Sequence, residues 1–207
     1  MQNSYALGFL GVAMALGVGQ GSALSQEAAP PTSLINEKVI ASVRQWSETP
    51  IVIDAVKAAN AAHATLAQAE IDTLDKTWRA ETKVEDQPLI AAVMVHPLSS
   101  YLIRIQARGL GLYSEVFVMD NKGLNVGQSS VTSDYWQGDE AKYQKTYAVG
   151  PDAVFIDEPE FDEDTKTWRA QLNLTLIDPA AKQAIGAITV EFNLTELERR
   201  WRAGLAG

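Results

Sequence analysis

The sequence contains no cysteine and only two histidines among its 207 residues. Without cysteine the chain can form no disulfide, no thiolate metal site and no lipidated N-terminal cysteine. His63 and His96 lie far apart in the chain, and neither has a second ligand at a metal-binding spacing, so a zinc site or a histidine-based catalytic triad is not predicted. We expect no metal, no cofactor and no catalytic residue, and stability must come from packing alone.

Positive charge and phosphate-binding loops are also scarce. The 17 lysines and arginines are outnumbered by 26 aspartates and glutamates, which gives a formal net charge of -9. An acidic surface repels phosphate backbones and anionic lipids, so nucleic acids and membrane surfaces are not expected partners. Gly109 and Gly111 follow no predicted strand and lack the remaining residues of a phosphate-binding loop, which disfavours nucleotide chemistry.

The apolar run at the N terminus, Ala6 to Val18, is too short to span a bilayer comfortably. Ala23 and Ser25 then place small residues at the two positions that a signal peptidase reads. We therefore predict a signal peptide over residues 1–25, cleaved after Ser25 or, as the second choice, after Ala23. The mature protein is expected to be soluble and periplasmic, with no stable membrane span. Because no lysine or arginine precedes the run, an uncleaved N-terminal anchor is the alternative.

Residues 26–33 are predicted to be a flexible mature N terminus, because two consecutive prolines block a helix there. Residues 34–207 are predicted to form one domain. Apolar residues at helical spacing indicate about fifty residues of helix before any strand. The predicted helical segments begin at Leu34, at Pro50 and near Thr65, and two shorter ones cover Pro88–Val95 and Ser99–Arg108.

Strand signals begin at Val116–Met119, which is followed by a turn with Gly123 placed for a positive φ and by a hairpin partner over residues 124–127. Further strands are predicted over residues 153–156, 167–177 and 184–194. Antiparallel strands that follow a block of helices indicate an α+β fold.

Two helix caps are predicted in this second half. Asp139 precedes a short helical turn, and its side chain is expected to cap it. Thr195, with Glu198 three residues later, forms a capping-box pattern at the start of a C-terminal helix. That helix is expected to close the fold.

Two polar segments are candidates for binding. The acidic run from Asp157 to Asp164 offers oxygen ligands for calcium, but its spacing departs from an EF-hand loop, and a solvated hairpin is the alternative interpretation. The segment from Thr132 to Tyr147 interleaves aromatic and charged residues, which can wall a small pocket or simply pack a helical turn onto the sheet. In the last strand Glu191 points away from the apolar face, either into a site or into solvent.

Three segments in order carry a family resemblance: Phe117–Val126 (FVMDNKGLNV), Ser133–Tyr143 (SDYWQGDEAKY) and Ile185–Glu191 (IGAITVE). With the helices before them, they resemble a Cache domain, a PAS-like extracellular sensor domain. The resemblance implies a long N-terminal helical segment packed on a five-stranded antiparallel sheet, with a small organic ligand between the sheet and the loop-helix segment. It implies that the ligand contacts Tyr135, Trp136, Asp139, Lys142, Tyr143 and Glu191.

Family members that bind amino acids carry Arg-x-Trp-Tyr in the pocket helix and an aspartate in the last strand. Aligned on Tyr143, this sequence has Glu140 at the arginine and Lys142 at the tryptophan, with Glu191 at the aspartate. Free amino acids are therefore not predicted ligands. Glu191 remains a candidate for an amine, and Lys142 or Lys145 for an organic anion.

The resulting prediction is a non-enzymatic periplasmic module that binds or senses a small molecule. Family sensors continue through a membrane helix into a signalling module, whereas this chain ends at Gly207. We therefore expect it to pass its ligand state to a separate envelope protein, such as a sensor kinase, a cyclase or a transporter component. The alternatives are a ligand-free structural or adaptor subunit and a hydrolase that uses a carboxylate pair such as Asp157 and Glu191, for which the sequence offers no recognisable nucleophile and base.

Overall fold

The computed structural model describes residues 28–205. The predicted signal peptide, both candidate cleavage positions and the first residues of the mature N terminus lie outside the described part. The elements, in chain order, are α1 (Glu37–Ser47), α2 (Pro50–Ala62), α3 (Gln68–Glu81), α4 (Pro88–Met94), α5 (Pro97–Arg108), β1 (Tyr113–Met119), β2 (Asn125–Gln128), α6 (Ala141–Gln144), β3 (Val154–Ile156), β4 (Glu160–Asp162), β5 (Thr167–Ile177), β6 (Ala184–Asn193) and α7 (Leu194–Arg202). The predicted α+β fold is confirmed.

The N-terminal helical segment consists of separate helices rather than one long helix. Proline occupies the first turn of α2, α4 and α5, where its fixed φ suits the helix and its missing N–H is not needed. The first helix was predicted from Leu34, but it begins at Glu37, because the Asn36 side chain accepts hydrogen bonds from the backbone N–H groups of Lys38 and Val39. Residues Thr32–Leu34 form a 3-10 turn that packs against α7.

The sheet is antiparallel, with the strand order β2-β1-β6-β5-β3, and β4 pairs with β5 beside β3. It therefore has one strand more than the resemblance implies. The additional strand, β4, lies inside the acidic run that was interpreted as a solvated hairpin. Its three residues are too few for period-2 alternation to reveal them in the sequence.

The inner face of the sheet, defined as the face that packs against α2, α5 and α7, holds the main core. Alternate residues of the three long strands point to it, and each is 3% exposed or less: Val116, Val118, Ala170, Leu172, Leu174, Leu176, Ile188, Val190 and Phe192. Each large apolar side chain buried in this way contributes about 1.5–3 kcal/mol of transfer free energy. This face holds the helices and the sheet together.

The outer face of the sheet is covered as well, which the sequence left open. Phe117, Met119 and Ala187 are buried beneath Tyr143 and Tyr147 of the loop-helix segment. Thr189 and Asn173, on neighbouring strands, are also buried and share a hydrogen bond of 2.7 Å. Solvent exposure of this face, the alternative considered for the strand that carries Glu191, is therefore wrong along most of its length.

Neither predicted residue caps its helix. Asn193 caps α7 by accepting from the N–H of Glu196, whereas the Thr195 hydroxyl accepts from the N–H of Trp168 on β5. Helix α6 has Glu140 rather than Asp139 at its N-cap position, without a side-chain cap bond. Tertiary contacts with β5 and the sheet explain the first change, because they draw Thr195 away from its own helix.

Within residues 28–205 no single helix is long and apolar enough to cross a membrane. Helices α4 and α5 together meet the length and composition of a span, but they are bent by 66°. Ile90, Leu98 and Leu102 of this pair are buried against the rest of the fold, whereas Ile103 is exposed.

Candidate ligand-binding cleft

A cleft of about 310 Å³ opens on the outer face of the sheet. It lies between β5 and β6, the strand β4 and the start of α6. Two cations, Lys142 and Arg169, line it together with six carboxylates: Glu140, Asp157, Glu158, Glu160, Asp162 and Glu191. The cleft therefore has an excess of negative charge.

A row of side chains on the outer face crosses three strands, and two of its members, Glu191 and Gln171, line the cleft. Glu191 on β6 lies directly opposite Glu115 on β1 and directly opposite Gln171 on β5. Directly opposite residues of antiparallel strands share a face and lie close together, so two carboxylates are held side by side. The Ser130 hydroxyl donates to Glu115 at 3.0 Å and holds this side chain in place at the β1 end of the row.

The pKa of Glu115 is raised above its ordinary value. Burial is the main cause, because it removes the carboxylate from water, and the negative charge of Glu191 adds to it. The hydrogen bond from Ser130 and the positive charges of Lys142 and Arg169 oppose the increase without cancelling it. Glu115 therefore holds its proton more tightly in the folded protein than in an unfolded chain.

The two cations of the cleft are paired with carboxylates. Arg169 contacts Glu191 through Nη1 and Asp162 through Nη2, both at 3.1 Å. Lys142 Nζ lies 2.7 Å from Glu140 Oε2. Among the ion pairs of residues 28–205 none involves the remaining three carboxylates of the cleft, which are Asp157, Glu158 and Glu160.

The turn between β4 and β5 holds one wall of the cleft in place. Asp162 Oδ1 accepts from the hydroxyl of Thr165 at 2.6 Å and from its N–H at 2.7 Å. These bonds, with the charge of Arg169, lower the pKa of Asp162 below its ordinary value. A lowered carboxyl pKa keeps Asp162 ionised, so its ion pair with Arg169 persists into mild acid.

Of the residues that the resemblance implies, Lys142 and Glu191 line the cleft together. Tyr143 lies next to it but donates its hydroxyl to the Asn121 carbonyl at 2.7 Å and stacks on Tyr147, with 5.2 Å between ring centroids. Asp139 is exposed at the surface, where its charge acts on Arg79.

Tyr135 and Trp136 belong to a second apolar cluster beneath α3 and α4. Tyr135 stacks on Trp78 with 5.3 Å between ring centroids, and burial, together with the charge of Asp120, raises its pKa to about 12. Trp136 donates its indole N–H to the Lys122 carbonyl at 2.8 Å. These two aromatic side chains pack the loop onto the helices and are not among the cleft-lining residues.

Arg169, Gln171 and Glu115 were not predicted as site residues from the sequence. A signal for the first two was present, because Arg169, Gln171, Asn173 and Thr175 alternate with apolar residues along β5 as the polar face alternates along β6. Glu115 carries no such signal, since only the pairing register with β6 brings it beside Glu191.

A second groove, of about 330 Å³, runs beside α7. Its charged side chains already satisfy one another, since Glu196 binds Arg199 at 2.6 Å and Arg200 at 2.7 Å, and Glu198 binds Arg202 at 2.9 Å. The hydrogen bonds from Arg199 and then Arg200 lower the pKa of Glu196 to about 2. We therefore regard the outer-face cleft as the candidate site. No three histidine, aspartate or glutamate side chains between residues 28 and 205 are arranged to hold a metal ion.

No protein-family model matches the sequence, and a search of curated proteins found no match. Several solved structures match the fold. The sensor domain of the V. cholerae histidine kinase DctB is 12% identical, covers 79% of this chain and 54% of its own, and has a TM-score of 0.39. The structures that this chain resembles are Cache-type sensor domains.

Two further matches are chemoreceptor domains. The ligand-binding domain of the Pseudomonas aeruginosa amino acid chemoreceptor PctC, solved with GABA, is 15% identical over 63% of this chain and 56% of its own, with a TM-score of 0.35. That of Campylobacter jejuni Tlp3, solved with 4-methylisoleucine, is 14% identical over 75% of this chain and 65% of its own, with a TM-score of 0.38. The chain thus spans 54% to 65% of the length of these structures. A likeness of this size carries no ligand over to this chain, so function has to follow from the cleft itself.

Proposed function

We propose that this protein is a non-enzymatic, exported binding module that holds a small, positively charged organic molecule in the outer-face cleft and passes the bound state to a separate envelope protein. The observation that carries the proposal is the cleft of about 310 Å³ in which three carboxylates remain without a cationic partner among the described residues. A cavity of this volume matches a small ligand. A carboxylate-lined wall attracts positive charge and repels anions.

The positions of the cations argue against an anionic ligand. Lys142 and Arg169 are both occupied by carboxylates, and Lys145, the other candidate for an anion, lies over the Phe155 ring at 4.1 Å from its centroid. An organic anion would have to break these contacts and enter a site with an excess of like charge. An amine instead gains partners at Asp157, Glu158 and Glu160, whose carboxylates take part in none of the ion pairs of residues 28–205.

Export is the second part of the proposal, and it rests on the sequence. The apolar run Ala6–Val18 followed by small residues at Ala23 and Ser25 is typical of a signal peptide. Absence of cysteine fits any compartment, so this part depends on the leader alone. N-terminal sequencing of protein recovered from the periplasm tests it, and a mature terminus at Gln26 or Leu24 is expected.

A thermal-shift screen tests the binding part. Amines, amino acids, organic acids and divalent cations are added at millimolar concentration to the exported protein. A ligand at about 100 times its Kd stabilises the folded state by about 2.7 kcal/mol, which raises Tm by roughly 5–10 °C for a chain of this size. We expect hits among the amines and none among the organic acids.

Matched variants connect a hit to the cleft. Glu158→Gln and Glu160→Gln remove charge from the cleft without breaking an ion pair, and both should weaken the amine-induced shift. Glu85→Gln removes the same charge from an exposed loop outside the cleft and should leave the shift unchanged. Hits confined to organic acids, or an amine shift that survives both cleft variants, would overturn the proposal.

A second candidate is a ligand-free structural or adaptor subunit. It is favoured by Trp136 and Tyr143, because their side chains donate hydrogen bonds to the carbonyls of Lys122 and Asn121 and are not among the cleft-lining residues. A flat screen, combined with a stoichiometric envelope complex that Glu158→Gln leaves intact, would support the adaptor. Loss of the complex in that variant would instead favour the binding module.

A further inference from the structure

A continuous chain of polar contacts leads from the cleft to helix α3 on the other side of the loop. Lys142 Nζ contacts Gln137 Oε1 at 3.1 Å, and Gln137 Nε2 donates to Asp134 Oδ1 at 2.6 Å. Asp134 Oδ2 in turn accepts from Arg79 Nη2 at 2.9 Å. Each contact is within hydrogen-bond distance, so the series of contacts from Lys142 to Arg79 is uninterrupted.

At its α3 end, the series of polar contacts returns to the loop that precedes α6. Arg79 Nε contacts Asp75 Oδ2 at 2.7 Å, and Asp75 Oδ1 accepts from the backbone N–H groups of Tyr135 and Trp136 at 2.9 and 3.1 Å. Desolvation raises the pKa of Asp75, but the hydrogen bond from Arg79 and those from the two N–H groups outweigh it, so that the pKa is lowered. Asp75 is therefore an ionised anchor that holds the loop on α3.

The middle of the chain is shielded from water. Gln137 is 1% exposed and Asp134 is 8% exposed. A buried polar group that loses its partner has no water to replace it, so such a network rearranges as a unit. Arg79, in contrast, has 52% of its side chain exposed on α3.

The cleft end contains an element with two alternative partners. Lys142 Nζ is shared between the Glu140 carboxylate at 2.7 Å and the Gln137 amide oxygen at 3.1 Å. A positive charge bound in the cleft competes for Glu140 and leaves Lys142 to Gln137. An empty cleft leaves the ammonium divided between the two acceptors.

We propose that Lys142 is a positioning residue that transmits the charge state of the cleft to the exposed face of α3 through Gln137, Asp134 and Arg79. The inference rests on the proposed function, because the ligand's charge is what moves Lys142. It adds a route from the cleft to the exposed Arg79 side chain on α3. A ligand shifts the population of the two Lys142 contacts only by as much as it prefers one of them.

Hydrogen exchange at the Tyr135 and Trp136 amides tests the route without any ligand. Lys142→Met removes the ammonium and nearly keeps the side-chain length, so the Gln137 amide oxygen loses the hydrogen bond from Lys142. The Tyr135 and Trp136 amides should then exchange about fivefold faster, which is the factor that corresponds to one ordinary hydrogen bond. Glu140→Gln removes the competing carboxylate, so the Lys142 ammonium binds Gln137 alone, and the exchange of the two amides should slow. The two variants are thus expected to move the same amides in opposite directions.

Two controls keep the result specific. Lys145→Met makes the same chemical change three residues away, at a lysine that contacts the Phe155 ring rather than Gln137. Glu85→Gln removes a carboxylate from an exposed loop outside the cleft. Both should leave the two amides unchanged. Equal exchange in Lys142→Met and Lys145→Met, or a change of the same sign in Lys142→Met and Glu140→Gln, would overturn the route.

Failure of this inference is distinguishable from failure of the proposed function. The exchange experiment uses no ligand, so a flat thermal-shift screen leaves its outcome intact. Conversely, unchanged exchange in Lys142→Met removes the route but leaves amine binding in the cleft untouched. Far-ultraviolet circular dichroism of each variant confirms that the fold is retained before exchange is measured.

Discussion

The two faces of the sheet differ in how their side chains are specified. On the inner face, alternate residues of single strands are apolar and buried against helices. The sequence of each strand by itself therefore determines which of its side chains are buried. On the outer face, the row Glu115, Glu191 and Gln171 exists only because three strands pair in one register. The buried side chains of the inner face therefore follow from local sequence, whereas the polar row of the outer face is formed by residues that are distant in sequence.

The two faces also differ in their response to charge and pH. The inner face carries no carboxylate, lysine or arginine along the three long strands, while the outer face places Glu115 and Glu191 side by side with Arg169 close by. Removal of an inner residue leaves a cavity, and removal of an outer one changes a charge. Substitutions on the two faces therefore separate a loss of packing from a change of charge.

The largest effect is expected for Phe192→Ala on the inner face. Phe192 is fully buried and packs edge-on against Tyr113, with 5.2 Å between ring centroids. Loss of a buried phenylalanine costs about 3–5 kcal/mol. The matched control is Glu191→Gln, the preceding residue on the opposite face, which should cost about 1 kcal/mol or less because only one contact of a partly exposed ion pair is weakened. Urea unfolding compares the two, and equal losses would mean that the faces do not differ in this way.

An intermediate effect is expected for Asp120→Ala, at the turn that joins β1 to β2. Asp120 is fully buried and accepts from the N–H groups of Lys122 and Leu124 at 2.8 and 2.9 Å, while His63 Nδ1 lies 2.6 Å from its other oxygen. Removal leaves buried donors without a partner, which costs about 2–4 kcal/mol. Asp152→Ala, at an exposed loop position, is the control. A loss as small as that of the control in urea unfolding would show that other groups hold this turn.

Prediction from the sequence succeeded where a feature is local. The first turn of α2 at Pro50 and the turn at Gly123, which has a φ of 83°, follow from residue chemistry alone. The inner face of β6 follows from alternation. The N-terminal cap of α7 was misassigned by two residues because Thr195 bonds to β5, a contact that no local pattern contains.

The residues of the cleft could be predicted from the sequence only in part, because contacts between distant segments leave no local pattern. Lys142 and Glu191 were singled out from their own segments, and the fold brings them to one cleft. The aromatic residues Tyr135 and Trp136 were grouped with them because they are close in sequence, yet they pack under α3 and α4. Distance along the chain is a poor guide to which side of a loop a side chain occupies, whereas strand register decides it.

The smallest effect, and the one that depends on pH, is expected for Glu115→Gln. The pKa of Glu115 is raised from its ordinary value of 4.5, chiefly by burial and also by Glu191, against the opposing effects of Ser130, Lys142 and Arg169. A group that binds its proton more tightly when folded destabilises the native state at a pH above both pKa values. Below pH 4.5 the carboxyl is protonated in both states, and the penalty disappears.

Glutamine keeps the acceptor oxygen for Ser130 but cannot ionise. Glu115→Gln should therefore raise the free energy of unfolding at pH 7 and leave it close to that of the wild type at about pH 3.5, where both side chains are neutral. Glu85→Gln, on an exposed loop, should show no such pH dependence. Urea unfolding at the two pH values provides the measurement. A gain of equal size at both would mean that the substitution acts through packing rather than charge, and the outer face would then lose the feature that most distinguishes it from the inner one.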